Sequence, residues 1–141
     1  MKIIECVPNI SEGRDSSIIN QITESIDSIE NITILNIDSG YDTNRTVITF
    51  VGHPEFVIEA AYLCIMKSIE LIDLRIHNGE HARMGSTDVC PLVPISNISM
   101  NECIKYSHML AKKVGDNLNI PVYMYENSAK SSDRVNLANI R

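Results

Sequence analysis

The sequence predicts an α+β fold in which helices cover one face of a sheet, and two observations support this prediction. The predicted elements follow the order strand, helix, strand, strand, helix, strand, with an extra helix and strand at the C-terminal end. That order is typical of a ferredoxin-like split βαβ sandwich. The 141 residues, 44% of them hydrophobic, are enough for one core and too few for two ordinary domains. A single domain is therefore expected.

The first strand and helix follow from side-chain periodicity. Residues 3–7 alternate well enough for a strand, and we expect Pro8 to end its regular pairing. Asp15 or Ser16 can cap the helix that follows. Its apolar side chains recur at helical spacing and predict a face turned to the core: Ile18, Ile19, Ile22, Ile26 and Ile29.

Two β-branched runs predict the next pair of strands, at residues 32–37 and 46–51. The polar segment 38–44 joins them, so we expect a strand pair with a loop long enough to carry function. Pro54 is placed to open a second helix that runs to about Ile72, because proline is favoured in the first helical turn.

The last third of the chain predicts one strand-like run, one helix and one short strand. Residues 89–95 form an extended run that two prolines interrupt. Ser99 can cap a third helix, with Glu102 in position for a capping box, and this helix is expected to end near residues 115–118. Residues 121–125 are expected to form the last short strand.

Charge and hydropathy exclude some classes of function. A formal net charge of −6 and an aromatic content of 5% argue against a nucleic-acid partner, because phosphate backbones are bound by clustered basic faces. No apolar run is long enough to cross a bilayer, and residues 1–6 lack the features of a secretory signal. A cytoplasmic protein without a membrane partner is therefore expected.

The four cysteines predict no metal site. Cys6, Cys64, Cys90 and Cys103 are widely separated and form no C-x-x-C pair, so neither a zinc ribbon nor a thioredoxin-like motif is available. Mostly buried, reduced thiols are expected.

The strongest functional signal is the run His77-Asn78-Gly79-Glu80-His81-Ala82-Arg83-Met84-Gly85. Two histidines, an acid and an arginine suit a binding or reacting loop better than a core. The pattern also matches H-x-x-E-H, a helical zinc motif. Asn78 and Gly79 would fall inside that helix, where both are poor helix formers. A zinc peptidase is therefore disfavoured, and a solvated loop without function is the remaining alternative.

Four separated motifs in this order resemble the N-terminal subdomain of glutamate formiminotransferase, from the formiminotransferase-cyclodeaminase family. They are Glu5-Cys6-Val7-Pro8-Asn9, Asp38 with Thr43-Asn44-Arg45-Thr46-Val47, the histidine run preceded by Leu71-Ile72-Asp73, and Val122-Tyr123-Met124-Tyr125. The resemblance implies that residues 1–141 are one N-terminal subdomain, without the C-terminal subdomain or the cyclodeaminase domain. It also implies a ferredoxin-like unit whose open sheet face looks toward a second subdomain.

The resemblance implies transfer of a formimino group from N-formiminoglutamate to tetrahydrofolate, a step of one-carbon and histidine metabolism. Tetrahydrofolate is then a co-substrate, and no metal is required. The family's catalytic histidine falls on His81, a residue type that can accept and donate a proton near neutral pH. Asp38 is the candidate that orients His81 or stabilises its charged form, with a simple strand-end turn as its alternative role.

Substrate binding is predicted for the polar residues around these two. Arg83 and Arg45 are candidate clamps for the substrate carboxylates, although Arg45 could equally anchor its own loop. Further candidates for substrate binding, or for a place beside His81, are Asn44, His77 and Glu80.

The resemblance leaves two hypotheses. In the first, the chain is a formiminotransferase component completed by a separate C-terminal-subdomain chain or by self-association into a homo-oligomer. In the second, it is a non-catalytic folate-binding or protein-interaction module that retains the fold.

Overall fold

The computed structural model of the chain describes residues 1–80 and 83–140, which form a mixed α/β structure. The strands are β1 (Ile3–Cys6), β2 (Asn9–Ile10), β3 (Thr33–Gly40), β4 (Arg45–Gly52), β5 (Thr87–Val89) and β6 (Leu92–Ser96). The helices are α1 (Ser16–Asp27), α2 (Pro54–Leu71), α3 (Met100–Leu118) and α4 (Leu137–Ile140), with short 3-10 helices at Glu126–Ser128 and Ser132–Arg134.

The six strands form one antiparallel sheet around β4. Strand β3 pairs with one edge of β4, whereas β1 and β2 both pair with the other edge. On the far side, β6 pairs with β1 and β5 pairs with β2. In the sheet, β1 and β2 therefore lie end to end as one long, interrupted strand, and β5 and β6 form another.

Pro8 interrupts the regular pairing of the first strand, as expected, because β1 ends at Cys6 and β2 begins only at Asn9. Pro8 has no N–H to donate, but its carbonyl oxygen accepts a bond from the Ile48 amide at 3.0 Å. Pairing with β4 resumes at Asn9, opposite Val47. The interruption is short because proline removes only one of its two ladder groups.

The predicted helix starts are confirmed. The Asp15 carboxylate accepts from the amides of Ser17 at 3.0 Å and Ile18 at 3.3 Å and so caps α1. Pro54 lies in the first turn of α2. The Ser99 hydroxyl accepts from the Glu102 amide at 3.1 Å at the start of α3.

The core lies between one face of the sheet and the helices. Strand residues alternate strictly in burial along β4, so one face is buried and the other is half-exposed. The most deeply buried side chains of the core are Ile4, Cys6, Ile10, Ile22, Ile26, Ile48, Phe50, Val57, Ala60, Ala61 and Cys64. None of the helices among the described residues has the length and apolar character needed to cross a membrane.

The strand predicted at residues 121–125 is wrong, since this segment forms no strand. The edge strand β6 pairs only with β1 in the described sheet, so the segment adds nothing to it. Pro121 lacks the donor that a ladder needs. Val122 and Tyr123 are instead about 40% exposed and line a cavity beside α3.

Candidate functional site

The candidate site lies at the end of the sheet where β3 turns into β4. Asn44, the residue just before β4, is only 5% exposed although it is polar. Its φ of 51° is left-handed, a conformation that asparagine tolerates better than most residues. Both facts indicate that this position requires the asparagine side chain.

The Asn44 amide joins three segments of the chain. Its Oδ1 accepts from the Gly13 backbone N–H at 2.8 Å, and its Nδ2 donates to the Asn78 carbonyl at 2.9 Å. The same nitrogen lies 3.3 Å from Nδ1 of His77. One buried side chain therefore fixes the position of the histidine run relative to the sheet.

Arg83 reaches the same loop from the other end of the histidine run. Its Nη1 donates to the Asn44 carbonyl at 2.6 Å, and its Nη2 donates to the Thr43 carbonyl. Nη1 also lies 2.7 Å from Nε2 of His77. We call Asn44, His77 and Arg83 the Asn44 network.

Gly79 allows the histidine run to approach this loop closely. A Cβ at position 79 would lie 2.5 Å from the Arg83 guanidinium and 2.9 Å from Cβ of Asn44, and it would also overlap the Thr43 carbonyl. The next residue, Glu80, donates its backbone N–H to the Asp42 carbonyl at 3.1 Å. The side chain of Glu80 is exposed, so only its backbone anchors the run.

Three arginines lie near one another here, in a chain of net charge −6. Burial lowers the pKa of Arg83, and the nearby charges of Arg45 and Arg14 lower it further. Asp88 and Glu12 oppose that effect. Arg45 and Arg14 therefore lie close enough to Arg83 to affect it electrostatically, and guanidinium groups are suited to binding a carboxylate.

Arg14 was missed as a site residue, although it belongs to the opening motif. Its Nε donates to the Tyr41 carbonyl at 2.7 Å, and its guanidinium lies 4.8 Å from the centre of the Tyr41 ring. Nη1 and Nη2 lie 3.4 Å from the Asn78 side chain and the Asp42 carbonyl, respectively. The sequence feature that could have indicated Arg14 is its position directly after Gly13 in the opening motif. In the structure, the Gly13 amide donates to the Asn44 side chain.

Of the remaining predicted residues, Asp38 and Arg45 are described, whereas His81 is not. Asp38 is exposed on the open face of the sheet. It lies in β3, and its pairing partner on β4 is Val47. Arg45 begins β4 and is partly buried. His81 lies outside the described residues, so its pairing with Asp38 stays a prediction.

Within residues 1–80 and 83–140, no group of three or more His, Cys, Asp and Glu side chains is arranged to hold a metal ion. His77 lies against the Arg83 guanidinium. A cation at His77 would be repelled by that charge.

Replacing Asn44 with alanine is expected to lower the free energy of unfolding by about 3 kcal/mol. Part of this loss is the penalty of the buried Gly13 amide left without an acceptor, about 1–3 kcal/mol. The rest is the strain of alanine at positive φ, about 1 kcal/mol. Urea unfolding of the purified variant measures the sum.

Asn119→Ala is the matched control for this variant. Asn119 has a φ of 55°, close to that of Asn44, but its side chain is exposed at the end of α3. This control should lose only the strain component, about 1 kcal/mol. Equal losses in the two variants would mean that the side-chain contacts of Asn44 add no stability.

Comparison with known proteins gives a consistent set of relatives. A family model described as the N-terminal subdomain of the formiminotransferase domain matches residues 3–141. A formimidoyltransferase-cyclodeaminase of Gallus gallus is 45% identical over 140 residues, covering 99% of this chain and 26% of the relative. A glutamate formimidoyltransferase of Streptococcus pyogenes serotype M1 is 42% identical, covering 99% and 47%, respectively.

An archaeal relative extends the same pattern. The glutamate formimidoyltransferase of Thermoplasma acidophilum is 43% identical over 141 residues, covering all of this chain and 46% of the relative. The chain thus spans about half the length of the glutamate formimidoyltransferases and about a quarter of the formimidoyltransferase-cyclodeaminases it matches.

Proposed function

Because the chain belongs to the family of formiminotransferase N-terminal subdomains, we propose that it supplies one wall of a site for one-carbon group transfer. The proposed reaction moves a formimidoyl group from N-formiminoglutamate to tetrahydrofolate. The names of the similar proteins support this class of reaction. The observation in the chain itself that carries the proposal is the arginine cluster beside the Asn44 network.

The proposed chemistry needs one residue that can move protons. A nitrogen of tetrahydrofolate attacks the formimidoyl carbon, which becomes tetrahedral. The attacking nitrogen then loses a proton, and the departing glutamate nitrogen gains one as its bond to the carbon breaks. His81 is proposed to carry out both transfers, because an imidazole can act as base and then as acid near neutral pH. Asp38 is proposed to orient its ring.

The arginines are proposed to attract and hold the substrates. Both substrates carry carboxylates, and the net charge of −6 would repel them without a local positive region. Arg45 is proposed as a carboxylate clamp, for which its planar guanidinium is suited. Arg83 donates to two backbone carbonyls of the loop, which supports a positioning role in addition to the proposed contact with substrate.

The remaining candidates are proposed to shape the same pocket. Asn44 and His77 hold the run in place through the Asn44 network. The exposed side chain of Glu80 extends from a backbone that is bonded to Asp42, and we propose that it contacts substrate.

The fold proposed for this function is the ferredoxin-like split βαβ unit. The strand order β3, β4, β1 and β6 supports it, because two helical connections and this order are what the split βαβ arrangement requires. The half-exposed sheet face then faces a second subdomain, and the substrates bind between the two. A separate chain or a second copy of this one is proposed to supply that subdomain.

The competing proposal is a non-catalytic folate-binding or interaction module. In that proposal the chain keeps the fold and parts of the site without turnover. The two proposals differ in what happens when the second half is added. Only the catalytic proposal requires the C-terminal half to complete the site.

Calorimetric titration with tetrahydrofolate tests the proposed site. The chain is titrated alone and with the C-terminal half of the Streptococcus pyogenes relative, and the affinity is expected to rise by about tenfold or more, at least 1.4 kcal/mol, in the mixture. Arg45→Gln should weaken binding. Arg75→Gln is the matched control, because Arg75 is exposed and paired with Asp73 at 2.8 Å.

The outcomes separate the two proposals. Equal affinity with and without the C-terminal half favours the non-catalytic module. Absence of binding in both samples contradicts folate binding altogether.

A further inference from the structure

Two cysteines far apart in the sequence have neighbouring thiols. Sγ of Cys6 lies 3.5 Å from Sγ of Cys90. Cys6 is completely buried in β1, whereas Cys90 is partly buried and lies between β5 and β6. These are the residues of a dithiol pair rather than of two isolated buried thiols.

The backbone holds the two chain segments side by side. The Val7 amide donates to the Pro91 carbonyl at 3.1 Å, and Cys6 pairs with Leu92 in the ladder. Cys90 and Pro91 form the break between the two strands, outside both of them. Closing the gap between the two sulfurs from 3.5 Å to bonding distance therefore requires no change of residues that belong to β5 or β6 beyond this break.

Cys90 is also the thiol that a reagent can reach. It lines two neighbouring cavities, one of about 780 Å³ beside α2 and α3 and one of about 280 Å³ beside α3. Cys6 lines neither of them. A small molecule entering either cavity meets Cys90 first and Cys6 only through Cys90.

We propose that Cys6 and Cys90 form a modification site that is oxidised to a disulfide by a low-molecular-weight disulfide. The Cys90 thiolate attacks one sulfur of the reagent, and the first small thiol leaves and takes up a proton. The Cys6 thiol then gives up its proton and attacks the Cys90 sulfur, which releases the second small thiol. Two protein thiols lose two electrons and two protons, and one small disulfide becomes two thiols.

The order of these steps follows from burial. Desolvation raises the pKa of Cys6, and the hydrogen bond and charge of Cys90 raise it further. Cys6 is therefore the resolving thiol, and ring closure should accelerate as the pH rises, because only the thiolate attacks. Cys64 is the competing third thiol. It is buried in α2, and burial raises its pKa as well.

The experiment treats the folded chain with 2-hydroxyethyl disulfide and then counts free thiols in denaturant. We expect four thiols to fall to two, and peptide mapping without reduction to join the peptide of Cys6 to that of Cys90. Dithiothreitol should restore all four. Cys6→Ser should stop at a mixed disulfide on Cys90, whereas Cys103→Ser, a control on the buried face of α3, should still form the bridge.

Three results would overturn the proposal. They are four unreacted thiols in the wild type, a mixed disulfide on Cys90 that persists in the wild type, and a bridge between Cys64 and Cys90. The mapping of the wild-type chain decides the outcome even if Cys6→Ser fails to fold. None of these results depends on formimidoyl transfer.

Discussion

Replacing His81 with alanine is expected to reduce kcat for formimidoyl transfer by about 10² to 10⁴ when the chain is assayed with a C-terminal half. The reason is that the attacking nitrogen must lose a proton and the departing nitrogen must gain one. Alanine can do neither, so both transfers fall to water. The carboxylate clamps are unchanged by this substitution, so KM for both substrates should change little.

A histidine elsewhere in the fold provides the matched control. His53 caps α2 by accepting from the Glu55 amide at 3.4 Å. Asparagine is a good cap residue, so His53→Asn should keep both stability and kcat. Wild-type kcat in His81→Ala would remove His81 from the proton transfers. A loss of the same size in His53→Asn would show that the assay reports folding rather than chemistry.

Gly13→Ala is expected to lower the free energy of unfolding by about 3 kcal/mol, the cost of forcing an extra carbon into a packed site. A Cβ at this position would lie 2.5 Å from the Arg45 amide nitrogen and 2.8 Å from the Arg45 carbonyl, and it would overlap the Gly40 carbonyl. All three atoms are backbone atoms of the β3–β4 pair, so no flexible side chain can move aside. Gly13 has a negative φ, so the cost arises from contact and not from the dihedral angle.

Gly115→Ala is the control for the same chemical change. Gly115 lies inside α3, and a Cβ there would meet nothing within 4 Å. Alanine is the better helix former by about 1 kcal/mol, so this variant should be more stable than the wild type. Urea unfolding measures both variants. The packing explanation fails if Gly13→Ala unfolds at the same urea concentration as the wild type.

The helices of this fold could be predicted well from the sequence, because their signals are local. Asp15, Pro54 and Ser99 each mark a helix start within one or two residues, and the structure confirms all three. The helix interiors follow from apolar periodicity in the same way. Neither signal depends on a partner far away in the sequence.

Strands were harder to predict because pairing is not local. The run of valine and tyrosine at 122–125 has high strand propensity but finds no partner in the sheet. In contrast, β3 extends to Gly40, beyond the predicted end at residue 37, because Asp38 and Ser39 pair with residues of β4. Strand propensity alone predicts neither the missing partner of residues 122–125 nor the extension of β3.

Three candidate residues lie together in the structure, but the sequence did not reveal their contacts. Asn44, His77 and Arg83 were all identified from their residue types and from the family resemblance, and the structure brings them together. Their hydrogen bonds to each other and to backbone carbonyls depend on the loop conformation, which the sequence does not reveal. For the same reason Arg14 was missed, since its partners are carbonyl oxygens.

The most direct measurement is formation of 5-formiminotetrahydrofolate by the wild-type chain, alone and mixed with the C-terminal half of the Streptococcus pyogenes relative. We expect product only in the mixture, because this chain supplies one wall of the site. The substrate on which His81 acts must be held between two subdomains. A folded mixed complex that binds tetrahydrofolate but forms no product would contradict the proposed catalytic function. Full activity of the monomeric chain alone would contradict the proposal that this chain supplies only one wall of the site.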